Sequence, residues 1–148
     1  MTRLLLASAL FLASAVTAQA DMIMKPSAHS VPVTIDRLTA AVEKAGAKVF
    51  ARIDHAAGAA KVGAELAPNQ MLMFGNPKLG TPAMQASATM GMDLPLRVVA
   101  FEDASGKVMI AYHDPADVAA LHGLPADHPV IGKMQGALMK LTNAAAGE

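Results

Sequence analysis

Five apolar residues, Val31, Ile35, Leu38, Val42 and Ala45, follow one another at spacings that keep them on a single face of a helix. The stretch that follows it, Lys48 to Asp54, alternates with the period of a strand. A chain that switches period in this way must bury a helical stripe against one face of a sheet, and that requirement points to an α+β fold. The helix also carries its own end signals. Ser30 is a capping residue, Pro32 falls in the first turn, where a missing amide proton costs little, and Gly46 suits a left-handed helix end.

The remaining segments fill in the pattern. Met22 to Lys25 reads as a first strand. Lys48 to Asp54 alternates, with Val49, Ala51 and Ile53 on one side. His55 to Lys61 reads as a short helix or turn. The unbroken apolar run Gln70 to Phe74 is expected to be a strand covered on both faces. A helix is expected from Pro82, behind a Thr81 cap, to about Thr89. Leu96 to Glu102 and Lys107 to Tyr112 flank Asp103-Ala104-Ser105-Gly106 and should pair as an antiparallel hairpin. Asp114-Pro115 opens a short helix that Gly123 ends. Asp127 is expected to cap a last helix, about residues 127–146, with Ile131, Met134, Leu138 and Leu141 on one face. Together these imply a two-layer α/β sandwich, a mixed β-sheet with helices packed on one face. A doubly wound sheet is the lesser alternative, because too little helix separates the middle strands.

The N-terminus reads as a cleavable secretory signal: Arg3, an apolar run of 13 residues from Leu4 to Val16, and the small-x-small site Ala18-Gln19-Ala20. The run is shorter than the roughly 20 residues that span a bilayer. A periplasmic or secreted protein, with no membrane partner after cleavage near Ala20, is the expectation. Residues 21–148 then form a single domain, large enough to bury a core. Of 12 Lys plus Arg only Arg3 is lost, leaving 11 against 12 Asp plus Glu. That balance argues against nucleic acid as a partner. There is no cysteine, so disulfides, thiolate nucleophiles and thiolate metal sites are excluded. With no Trp, one Tyr and four Phe, packing must lean on aliphatic residues and on 11 Met.

Three long segments in fixed order are distinctive: Phe50 to Ala59 (FARIDHAAGA), Phe74 to Pro82 (FGNPKLGTP), and Asp93-Leu94-Pro95-Leu96 followed by Glu102-Asp103. In order and spacing they resemble the domain of unknown function 302 family over about residues 22–124. The resemblance implies a small two-layer α/β fold. His113, the abundance of Met and the helix after Asp127 read as departures from that family's pattern.

The candidate chemistry centres on the Gly75 to Thr81 loop. A helix start offers free amide protons and partial positive charge, and Lys78 with two glycines makes a seat for a carboxylate or phosphate. The structural alternative is a tight turn stiffened by Pro77. Asp54 and His55 end a strand; they are a candidate acid–base pair or, alternatively, a helix cap and its neighbour. The expected ligand-binding set is Asp54, His55, Lys61, Asn76, Lys78, Thr81 and Asp93, holding a small anionic or amide-bearing ligand with no cofactor. A second reading is copper handling. Thioether sulfur suits Cu(I), and six methionines form Met-x-Met pairs, of which Met90 and Met92, with His55, are the candidate ligands. The third is an enzyme with His55 as general base. The last helix has an apolar face that serves either to cover the sheet or to make a homodimer.

Overall fold

The computed structural model describes residues 22–125 and 127–148, so the expected signal peptide lies outside the described residues. Five strands, β1 (Met22–Pro26), β2 (Lys48–Asp54), β3 (Asn69–Gly75), β4 (Leu96–Glu102) and β5 (Val108–His113), form one sheet in the order β1-β5-β4-β3-β2. Every neighbouring pair is antiparallel. The two-layer α+β architecture holds, but the expected mixed sheet is corrected to an antiparallel one. The reason lies in α1 (Val31–Lys44), which carries the chain from one edge of the sheet to the other. β1 and β2 therefore never become neighbours, and no parallel pair arises.

The helices α1 and α5 (Pro129–Ala146) cover one face. Val31, Ile35, Leu38 and Val42 of α1 meet Leu72, Phe74, Val98, Ala100 and Ile110 from the sheet and Leu138 and Leu141 of α5. Each such aliphatic side chain withdrawn from water contributes about 1.5–3 kcal/mol. Arg37 fastens the helices together, donating to the carbonyls of Ala144 and Ala145 at the end of α5. Lys25 of β1 donates to Asn143 Oδ1 on the same helix. The last helix thus covers the sheet, the first of its two expected roles. A second cluster gathers Ala83 of α3 (Pro77–Ala86), Met90, Ala119 of α4 (Pro115–Leu121), and Val130, Ile131 and Met134 of α5. No helix among the described residues is long and apolar enough to cross a membrane.

Several local expectations hold. The β4–β5 hairpin is present, its turn closed by Asp103 Oδ1, which accepts from the amides of Ser105 and Lys107, and by Gly106 at φ +79°. Gly46 and Gly123 have positive φ, and Asp114 caps α4 by accepting from the Ala116 amide. Ser30 occupies the capping position of α1 without a side-chain cap bond.

Others are corrected. β3 is covered on one face only, with Gln70, Leu72 and Phe74 buried and Met71 and Met73 half-buried. The alternation over β2 breaks at a bulge between Val49 and Ala51. Val49 lies opposite Phe74 on the covered face, whereas Ala51 and Ile53 lie opposite Met73 and Met71 on the open one. An extra residue in one strand reverses the facing of all that follow. α3 begins at Pro77, so Thr81 is an interior residue of the helix and not its cap. The cap of α5 is His128, with Asp127 one residue before it.

Among the described residues, no helix packs over the second face of the sheet. Ile53, Met71, Val99, Ala111 and Met24 stand opposite one another in a single row across all five strands. Met22, Met73, Met109 and Phe101 flank that row on the same face.

Candidate functional site

The loop after β3 becomes a helix because Asn76 and Pro77 suit the first two positions of one. Asn76 is extended, its Oδ1 accepts from the Lys78 amide at 2.9 Å, and Pro77 needs no amide partner there. Between α3 and the segment Leu94-Pro95-Leu96 lies a pocket of about 280 Å³. Phe50, thrown out of alternation by the bulge in β2, forms one wall, and Leu79, Met84, Leu94 and Met134 form much of the rest. Asn76 and Thr81 supply polar atoms, and among the described residues no lining side chain is charged. A Cβ at Gly75 would stand 3.6 Å from the Phe50 ring and one at Gly80 3.7 Å from Leu94, so both positions are places where added atoms would narrow the pocket.

The expected single site is thereby divided. Asn76 and Thr81 line the pocket, and Lys78 lies on the same helix but is exposed and outside the lining. Asp54 pairs with Gln70, whereas Lys48 pairs with Gly75, so Asp54 and His55 sit at the far end of the β2–β3 ladder. Five residues of extended chain separate the two ends by about 17 Å. Asp54 is occupied structurally: Oδ1 accepts from the Ala57 amide and Oδ2 from Gln70 Nε2. Neither oxygen orients His55, which is exposed at the start of α2 (His55–Lys61), with Lys61 exposed at its end. Met90 and Met92 separate as well. Met90 is 2% exposed in the second core cluster and Met92 is 78% exposed.

Asp93 belongs to a different constellation. It ends the short 3-10 turn Ala88–Met92. Its Oδ2 lies 2.7 Å from His122 Nε2, and its Oδ1 accepts from Arg97 Nη2 at 2.6 Å. The other ring nitrogen of His122, Nδ1, is 3.0 Å from Thr89 Oγ1. The hydrogen bond from His122, then the nearby charge of Arg97, hold the Asp93 carboxyl below the usual aspartate range against the opposing effect of burial. An ionised Asp93 accepts the Nε2 proton of His122. In the neutral imidazole, Nδ1 is then the acceptor for the Thr89 hydroxyl. The chain Thr89–His122–Asp93–Arg97 joins the 3-10 turn, the end of α4 and β4. Sequence spacing gives no sign of it, because His122 lies 29 positions from Asp93 and meets it only through the packing of α4.

The domain of unknown function DUF302 matches residues 23–144. The chain is a member of the DUF302 family. The match runs through α5, so the last helix, read from the sequence as a departure, is part of the family's domain. A crystal structure of an uncharacterised conserved DUF302 protein from Bacillus stearothermophilus superposes with a TM-score of 0.76 at 17% identity. That superposition covers 84% of this chain and 97% of the other, and it supports the fold. Two relatives named fluoride-specific ion channel FluC 1, from Brucella suis and Brucella abortus, are 44% identical over 124 residues. The aligned part covers 82% of this chain and 48% and 46% of theirs, so this DUF302 chain spans about half the length of those relatives.

Proposed function

We propose that this DUF302 protein is an exported small-ligand-binding domain whose site is the pocket between α3 and Leu94-Pro95-Leu96. The observation that carries the reading is a concave, mainly apolar space of about 280 Å³ with two polar residues at its edge. Sites for small molecules have this make-up, and their volumes begin near 300 Å³. The lining refines the expected ligand class. With Lys78 outside the pocket and no charge within it, the ligand is compact and mostly apolar, with an amide or hydroxyl group for Asn76 or Thr81.

Amide-shift mapping with indole and benzyl alcohol tests this. Saturable shifts at Phe50, Asn76 to Thr81 and Leu94 are expected, and they should vanish in Gly80→Leu, which fills the space. A panel that leaves those amides unmoved in the wild type would sink the proposal.

Copper handling through Met90, Met92 and His55 has weaker support, since Met90 is packed in the core and His55 lies at the far end of the β2–β3 ladder. A second reading has a specific observation in its favour: the 44% identity to half of two proteins named as fluoride channels suggests service beside ion transport. Titration with sodium fluoride, read by the same amides, separates the two. A saturable fluoride response would favour the second reading.

A further inference from the structure

The open face of the sheet holds another depression, of about 430 Å³, that shares no lining residue with the pocket beside α3. Met22, Met71 and Val99 contribute apolar surface, and Arg97, His113 and Asp93 bring the charge-bearing groups. Here the fold sets a cationic side chain against apolar surface. Met22 stands directly opposite His113 on β1 and β5, and Met71 directly opposite Val99 on β3 and β4.

We propose that this depression binds an amphipathic monocarboxylate, a medium-chain fatty acid or an arylalkyl acid, on the open face of the sheet. Arg97 holds the carboxylate with help from His113, and the methionine-lined floor receives the apolar part. Three features favour this ligand class. The guanidinium of Arg97 has five N–H donors, of which Nη2 is engaged by Asp93, and its side chain is 42% exposed. Asp93 does not compete for the site as a free anion, because one oxygen faces Arg97 and the other faces His122. Asp93 is therefore a positioning residue for Arg97, and the bond to His122, whose side chain is 8% exposed, fixes Asp93 in turn. Finally, the floor sets the unbranched thioether side chains of Met22 and Met71 beside Val99 and Ala111, and thioether chains reshape around a flexible ligand more readily than branched ones. A single guanidinium over an apolar floor fits one carboxylate with a tail better than a compact polyanion.

The test is a titration of the full chain with octanoate, followed by amide shifts. Saturable shifts at Val99, Ala111 and His113 are expected, with butyrate and the neutral octanol each binding at least about tenfold more weakly, the loss typical of a missing charge-assisted bond or several unburied methylenes. Arg97→Gln should weaken octanoate by about tenfold or more while leaving octanol unchanged, and Arg97→Lys should restore part of the loss. His113→Gln, on an exposed strand end, serves as the second variant and should give a smaller loss. Octanoate binding that survives Arg97→Gln undiminished overturns the proposal. So does an octanoate response confined to Phe50, Leu79 and Leu94, which would support the pocket beside α3 instead. Absence of any saturable octanoate response overturns it as well, and leaves the reading of the α3 pocket to its own test.

Discussion

The same strands present two very different surfaces. Toward α1 and α5, β3 and β4 offer Leu72, Phe74, Val98 and Ala100, all 1% exposed or less. On the other side, one residue away along each strand, stand Met71, Met73, Arg97 and Val99. The first surface is fixed by complementary packing, where branched and aromatic side chains lose little freedom when interlocked. The second carries methionine where no partner element imposes a shape. Five of the chain's 11 methionines, Met22, Met24, Met71, Met73 and Met109, share that face. The face that holds the fold together is built of branched and aromatic residues, and the uncovered one mixes Ile53, Val99 and Phe101 with adaptable methionines.

The sharpest way to break this comparison is truncation on each side. Ile35→Ala or Leu138→Ala should cost about 2–5 kcal/mol in chemical denaturation, because the cavity cannot collapse against two layers. Met71→Ala on the open face should cost less than about 1.5 kcal/mol, since its side chain is half-buried. An equal loss at Met71 would mean that something covers the open face in solution. Next in size is the capping bond at Asp54, which joins α2 to the edge of the sheet. Asp54→Ala should cost about 1 kcal/mol, with the Gln70 amide also losing a partner. Gly106→Ala should cost a comparable or smaller amount, about 1 kcal/mol, because φ +79° is strained for alanine although the surrounding space is open.

A pH series probes the junction at the rim of the open face. Asp93 has a folded-state pKa below its unfolded value of 3.8, so its ionised form stabilises the fold. That stabilisation is fully present above the unfolded value and is lost as pH falls through the folded one. The wild type should therefore lose more stability than Asp93→Asn when denaturation is compared at neutral pH and below about pH 4. Parallel losses in the two proteins would show that the Thr89–His122–Asp93–Arg97 chain adds nothing in solution.

Much of the architecture was legible because it is written in local periods and end signals. The face of α1, the hairpin turn at Asp103 to Gly106, the cap at Asp114 and the apolar stripe of α5 each follow from residues a few positions apart. The start of α3 was equally local. Asn76-Pro77 is a cap followed by a first-position proline, yet Pro82 draws the eye because proline ordinarily opens helices and does not sit within them.

What only the tertiary structure decided is which distant residues meet. One extra residue in β2 turned Ala51 and Ile53 to the open face and left Phe50 to wall the pocket, a reversal that alternation cannot foretell. Antiparallel order put Asp54 and His55 at the opposite end of the ladder from Asn76, dissolving a site that looked continuous along the chain. The packing of α4 brought His122 to Asp93 across 29 positions. Periodicity reports how a segment divides its own faces. It carries no information on what another segment brings to those faces, because that depends on strand order and on the bulges that set register.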